Sequence, residues 1–94
     1  MTPHYTFRTT KVFDRQLKKC IKRGLDISKI KIAMKILVEH GSLPESYRPH
    51  TLHGKHQNQW ECHLSPDWLM IWEQNDNDLT LLFLETGSHS DLFK

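Results

Sequence analysis

The period of the apolar residues changes once along this 94-residue chain, and that change restricts its fold more than any other feature. From Phe13 to Val38 apolar side chains recur at spacings of three and four, as on a helix with one buried face. From Gln59 to Thr86 they fall instead in short β-rich runs divided by turn residues. Thr9 or Thr10 is placed to cap a first helix whose stripe is Phe13, Leu17, Cys20 and Ile21, and Gly24 is placed to end it. Asp26 caps a second helix that runs to His40, buries Ile27, Ile30, Met34, Leu37 and Val38, and stops at Gly41. The short Gly24-Leu25-Asp26 turn predicts an antiparallel helix pair.

Before the helices, Tyr5-Thr6-Phe7-Arg8 alternates apolar and polar residues and predicts a short first strand. After them, Gln59–Leu64, Trp68–Glu73 and Leu79–Thr86 predict a three-stranded antiparallel meander, with turns at Ser65-Pro66-Asp67 and at Asn75–Asp78. The resulting expectation is an α+β fold in one domain, residues 1–94: strand, helix, helix, then the meander, both helices on one face of a twisted sheet and the other face left for a ligand. Between helices and meander, Ser42–Gln59 is a polar stretch punctuated by Pro44, Pro49 and Gly54, which predicts a long loop serving a site.

Size and composition narrow the setting. A chain of this length buries roughly 60 to 68% of its unfolded surface, enough for a single modest core. The longest apolar run, Trp68–Trp72, falls far short of the ~20 residues of a membrane span, and Met1–Phe7 has no signal-peptide core. Two cysteines, Cys20 and Cys62, are too few for a disulfide framework, so both are expected reduced in a soluble intracellular protein. Charge is split: residues 1–48 hold eleven Lys and Arg against four Asp and Glu, or +7, whereas residues 49–94 hold two against seven, or −5. Lys11, Arg15, Lys18, Lys19, Lys22 and Arg23 fall mainly off the first helix's apolar stripe. Such a basic face suits phosphate, although a solvated helix face or a site for an acidic protein would read the same way.

Histidine is the only side chain whose ordinary pKa, about 6.5, lies in the physiological window. Seven occur here, and His50, His53, His56, His63 and His89 lie in the second half, close in sequence to Trp60, Trp68, Trp72 and Phe93. Two-residue alternation puts Glu61 and His63 on one face of their strand and Trp60, Cys62 and Leu64 on the other. Cys62 and His63 therefore point apart, and the His50, His53, His56 spacing is helical only where Pro49, Thr51 and Gly54 oppose a helix, so no metal and no cofactor are expected. Asp67 after Pro66 is explained by turn chemistry alone, and a lone strand histidine needs no function.

Together, however, W-E-C-H-L-S-P-D-W-L-M-I-W (Trp60–Trp72) and T-G-S-H-S-D-L-F (Thr86–Phe93) resemble the YafQ-like branch of the RelE/ParE toxin superfamily. L-P-E-S-Y-R-P-H-T-L-H-G (Leu43–Gly54) and the helical F-D-R-Q-L-K-K segment extend the resemblance over nearly the whole chain. It implies a RelE/ParE-like fold and a bacterial, cytoplasmic type II toxin that cleaves mRNA in the ribosome and is neutralised by a cognate antitoxin. The implied catalytic set is His50, His63, Asp67 and His89, with Glu61, Trp68 and Phe93 in support.

The implied chemistry is metal-free attack of a ribose 2′-hydroxyl on the adjacent phosphate. His50 is expected as base and His89 as acid, Asp67 and Glu61 as orienting carboxylates, and His63 as an exchangeable partner or phosphate contact. Phe93 and Trp68 are expected to stack on a base, hairpin core being the alternative for Trp68. Lys18, Lys19, Lys22, Arg48 and Lys55 are expected to contact RNA. The chain departs from the family where Trp60 replaces a common arginine and where His50-Thr51-Leu52 replaces His-Pro-Leu, which puts in question how charge on the phosphate is stabilised. Competing readings are a ParE-like toxin that holds a protein target without cutting RNA, and a plain RNA- or metal-binding module.

Overall fold

The computed structural model describes residues 4–52 and 58–93. His53, Gly54, Lys55 and His56, which carry part of the histidine spacing and one expected RNA contact, lie outside the described residues. In chain order the elements are β1 (Thr6–Thr9), α1 (Lys11–Lys22), α2 (Ile27–His40), β2 (His50–Thr51), β3 (Gln59–Ser65), β4 (Trp68–Asn75), β5 (Thr80–Gly87) and α3 (His89–Leu92). The strands form one sheet in the order β1-β5-β4-β3-β2, with β1 parallel to β5 and the other pairs antiparallel. The mixed α+β fold and the central meander are as the apolar periods predict.

Both long helices begin and end where their caps place them. The Thr10 hydroxyl accepts from the Phe13 N–H at 2.9 Å and donates to the Leu84 carbonyl at 2.8 Å, so one side chain starts α1 and ties it to β5. A cap of this kind stabilises by about 1 kcal/mol. Asp26 accepts from the Ser28 N–H at 3.0 Å at the start of α2, and Gly41 ends α2 in the left-handed conformation, φ 71°. A Cβ at Gly41 would fall 2.6 Å from the Tyr5 ring, so the turn and the packing of the N-terminal strand both require glycine there.

Phe13 and Cys20 from α1 and Ile30, Ala33 and Leu37 from α2 share one buried cluster with Cys62, Leu64, Met70, Trp72 and Phe83 of the sheet. Both helices thus cover the same sheet face. Ile21, expected in the buried stripe of α1, is instead 45% exposed, because it lies on the flank next to Cys20, which takes the inward position.

Two elements differ from the sequence expectation. The supposed loop of Ser42–Gln59 contains a 3-10 turn at Glu45–Tyr47 and the two-residue strand β2. The C-terminal segment, for which no element is expected from the sequence, closes in a one-turn helix, α3. The sheet therefore has five strands, a central meander with an added strand on each side.

Candidate active site

Cross-strand register gathers the candidate residues. His50 of β2 faces Glu61 of β3, Glu61 faces Ile71 of β4, and Ile71 faces Glu85 of β5. The next row on the same β3 face is His63 opposite Leu69, and Leu69 opposite Gly87, two residues before His89. Neighbouring residues on one strand face are about 6 to 7 Å apart. Residues far apart in sequence are thereby brought into two adjacent rows on the face that the helices leave uncovered. Leu69 and Ile71 are fully and almost fully buried, 0% and 3% exposed, and form an apolar floor under these polar groups.

In the first row, His50 Nε2 lies 3.2 Å from Glu61 Oε1, and His50 Nδ1 lies 3.1 Å from the Arg48 carbonyl oxygen. Arg48 makes this approach with its backbone in the left-handed region, φ 49°. A carbonyl oxygen only accepts, so Nδ1 carries a proton in that bond. Nε2 faces the Glu61 carboxyl group, so each ring nitrogen lies against an oxygen acceptor. The Glu61 side chain is only 8% exposed, against 50% for His50, so the carboxylate is a buried anchor and the imidazole is the part that meets solvent.

In the second row, the two-residue Pro66-Asp67 connection turns β3 into β4 and delivers Asp67 to the end of β5. Asp67 Oδ1 accepts from the His89 backbone N–H at 3.2 Å and lies 3.0 Å from His89 Nδ1. The His89 ring first, and the His89 N–H second, hold the Asp67 carboxyl below the usual carboxylate range. Nδ1–H donation to Asp67 leaves His89 Nε2 without a protein partner among the described residues. The His63 and His89 rings lie 5.9 Å apart between centroids, and Phe93 follows at 6.4 Å from His89. Phe93 is 51% exposed, unusual for a phenylalanine packed only as core.

α3 holds His89 and Phe93 through a capping box at Ser88 and Asp91 and through a forked ion pair between Asp91 and Arg23 at the end of α1. Neither Arg23 nor Asp91 was singled out as a site residue from sequence. The S-x-x-D spacing of Ser88 and Asp91 is a helix-start signal, but nothing in it points to Arg23.

Trp68 is a correction. Its side chain is buried, 2% exposed, on the helix side of the sheet, and its Nε1–H donates to the Thr86 hydroxyl at 2.9 Å. That hydroxyl donates onward to the Leu69 carbonyl at 2.8 Å, so Trp68 locks β4 to β5 and offers no ring face to a base. Trp60 also faces the helix side, stacked on Trp72 with centroids 6.1 Å apart and planes at 14°. Its side chain points away from Glu61 and His63, so a cation at position 60 would leave this β3 face from the other side.

Lys18, Lys19, Lys22 and Arg48 are all exposed, as RNA contacts require. Among the described residues, no group of three or more His, Cys, Asp and Glu side chains converges to hold a metal ion. Cys62 is on the opposite face, and burial first, then Glu61, pushes its thiol up to about 12, so it is not a thiolate at neutral pH. No helix among the described residues is long and apolar enough to cross a membrane.

The YafQ toxin family, described as "Bacterial toxin of type II toxin-antitoxin system, YafQ", matches residues 5–94. The mRNA interferase toxin YafQ of Escherichia coli (strain K12) is 33% identical over 82 residues, covering 86% of this chain and 87% of that protein. A chain of the crystal structure of the E. coli DinJ-YafQ toxin-antitoxin complex aligns with a TM-score of 0.89 and 29% identity over 97% of this chain and 99% of that one. A metal-bound toxin from Helicobacter pylori aligns with a TM-score of 0.81 and 36% identity over 95% of this chain and 99% of that one. With a family match that runs from residue 5 to residue 94, this chain belongs to the YafQ family of toxins of bacterial type II toxin–antitoxin systems.

Proposed function

We propose that this YafQ-family toxin, an mRNA interferase, cuts message on the ribosome by moving protons between the RNA and its own two histidine–carboxylate pairs. The observation that carries this reading is the convergence of His50–Glu61 and His89–Asp67, at 3.2 and 3.0 Å, on adjacent rows of one sheet face. An acid and a base at opposite ends of a phosphodiester are each worth about 10²- to 10⁴-fold in rate. A companion antitoxin, the counterpart of the DinJ found in complex with E. coli YafQ, binds this toxin and silences it in the bacterial cytoplasm.

The bond changes are those of an internal transesterification. The ribose O2′ loses its proton to a base and bonds to the adjacent phosphorus; the bond from phosphorus to O5′ breaks; an acid gives O5′ a proton, leaving a 2′,3′-cyclic phosphate and a 5′-hydroxyl. His89 is suited to accept, because Asp67 fixes Nδ1–H and Nε2 has no protein partner among the described residues. His50 is suited to donate, because both its nitrogens face acceptors and an RNA oxygen can replace Glu61 as the acceptor of Nε2–H. These roles exchange the ones expected from sequence. His63, beside His89, and Arg48 supply donors and positive charge to the phosphate, and the exposed Phe93 ring stacks on a neighbouring base, worth about 1 to 3 kcal/mol.

The basic outer face of α1 grips ribosomal RNA. Replacing Lys18, Lys19 and Lys22 together is expected to weaken ribosome association and flatten its dependence on salt between about 50 and 200 mM. The central test adds purified toxin to mRNA-programmed ribosomes and maps new 5′ ends by primer extension, with His89→Gln alongside. Cuts by the wild type that vanish in the variant support the reading, and equal cutting by both refutes the assignment of His89. Absence of cutting by either would favour a toxin that acts by holding a protein target.

A further inference from the structure

We propose that Arg23, at the C-terminal end of α1, is a positioning residue for the His89 corner: by clamping Asp91 it fixes the one-turn helix that carries His89 and Phe93. This inference rests on the nuclease reading above and deepens it. The problem Arg23 solves is mechanical. α3 is four residues long and contains no fully buried residue, Leu92 being half-buried, so it has neither the length nor the depth of packing that keeps a helix in place. Its capping box, with the Ser88 N–H donating to Asp91 Oδ2 at 2.9 Å and the Asp91 N–H donating to the Ser88 hydroxyl at 3.2 Å, joins residues inside the turn. That shapes the turn without docking it.

Two polar ties dock it. One is His89 to Asp67, but there the partner is the reacting imidazole itself, and Asp67 is 71% exposed. The other is Arg23, whose Nη1 donates to Asp91 Oδ2 at 2.7 Å and whose Nη2 donates to Asp91 Oδ1 at 3.2 Å. A guanidinium is planar and charged at any working pH, and its fork fixes both carboxylate oxygens at once, so it sets the orientation of Asp91 as well as its position. Arg23 is itself anchored, since its N–H closes α1 on the Lys19 carbonyl and α1 is held on the sheet by Phe13 and Cys20. Gly87 completes the arrangement: a Cβ there would stand 2.9 Å from both Cβ and Oδ2 of Asp91, so the absence of a side chain lets Asp91 lie against the strand end. The rigid layer of helix and sheet is thereby connected to a ring that must be held to a fraction of an ångström, because a shift of about 1 Å can cost 10²-fold in rate.

The test compares full-length wild type, Arg23→Ala, Arg23→Lys and Asp91→Asn by two readouts. The first is NMR of the free toxin: carboxyl-carbon titration of Asp67 and hydrogen-exchange protection of amides 88–93. The second is single-turnover cleavage on ribosomes. In Arg23→Ala the amides of α3 are expected to lose protection and the Asp67 carboxyl to titrate closer to the ordinary carboxylate range, while sheet amides are unchanged and cleavage falls by about tenfold to a hundredfold. Arg23→Lys, which keeps the charge and loses the fork, should fall in between. An unchanged Asp67 titration and unchanged α3 amides in Arg23→Ala would overturn the proposal. Should Arg23→Ala fail to fold, Asp91→Asn answers the same question, since it weakens the same clamp from the other side. If the wild type cuts nothing, the nuclease reading fails, and the NMR readout still decides whether Arg23 positions His89.

Discussion

The His50–Glu61 and His89–Asp67 pairs have nearly the same length, 3.2 and 3.0 Å, but they are built in opposite ways. His50 and Glu61 face each other on paired strands, with the carboxylate 8% exposed above the buried Ile71. His89 and Asp67 come from the first turn of a one-turn helix and the tip of a hairpin turn, and both side chains are more than half exposed. The first pair is preorganised by the sheet ladder; the second depends on the polar ties of Asp91 to Ser88 and Arg23. The candidate site thus joins a buried, ladder-held half to an exposed half held by side-chain ties.

The largest expected effect separates the two pairs by chemistry. His50→Ala and His89→Gln should each lower cleavage by about 10²- to 10⁴-fold. On an mRNA whose scissile O5′ is replaced by sulfur, a leaving group that needs no acid, the loss in His50→Ala should largely disappear while that in His89→Gln remains. Rescue of His89→Gln instead would restore the roles expected from sequence, His50 as base and His89 as acid.

Stability separates them next. His50→Ala leaves the buried Glu61 carboxyl group without its imidazole partner and is expected to cost about 1 to 3 kcal/mol by denaturant unfolding. His89→Gln removes a partner from an Asp67 that water already solvates, and a smaller cost is expected in the same measurement. Equal costs would mean that the burial difference between the pairs has no energetic consequence. A smaller, local effect is expected of Gly87→Ala, which crowds Asp91 from 2.9 Å: amides 88–93 should lose protection while those of His50 and Glu61 keep theirs.

Acid gives the mildest discrimination. Asp67 is held below the ordinary carboxylate value by His89, and Asp91 is held below it by Arg23 first and the Ser88 N–H second. A carboxylate whose folded pKa is depressed stabilises the fold above its unfolded value, about 3.9, and loses that contribution as pH falls through the lower folded value. α3 is therefore expected to stay docked from neutrality down to about pH 4 and to release only below it. Amide exchange across that range checks the window, and release near pH 6 would show that histidine titration, not the carboxylates, controls the corner.

Much of the fold was legible because its signals are local. Thr10 and Asp26 as caps, Gly41 as a stop, and the two-residue alternation of Glu61 and His63 against Cys62 and Leu64 each need only a few neighbouring residues to act. β2 was not legible, since two residues have no period and His50–Thr51 is a strand only because β3 lies beside it. The parallel seat of β1 against β5 joins segments more than 70 residues apart and leaves no local mark. The Trp68 side chain had two homes compatible with its sequence, and the Thr86 hydroxyl, a partner 18 residues away, decided for the interior.

The order of residues by itself determined where the helices start and stop, which strand face carries Glu61 and His63, and which imidazoles and carboxylates were available for proton transfer. These follow from bond geometry and side-chain period, which act over a single turn or a few residues. Only the tertiary structure decided which carboxylate meets which histidine, that His89 engages Asp67 through Nδ1 while both nitrogens of His50 are engaged, and that Arg23 reaches across to Asp91. Distances between remote side chains are set by strand register and by the docking of helices on the sheet, and those exist only once the chain has closed on itself.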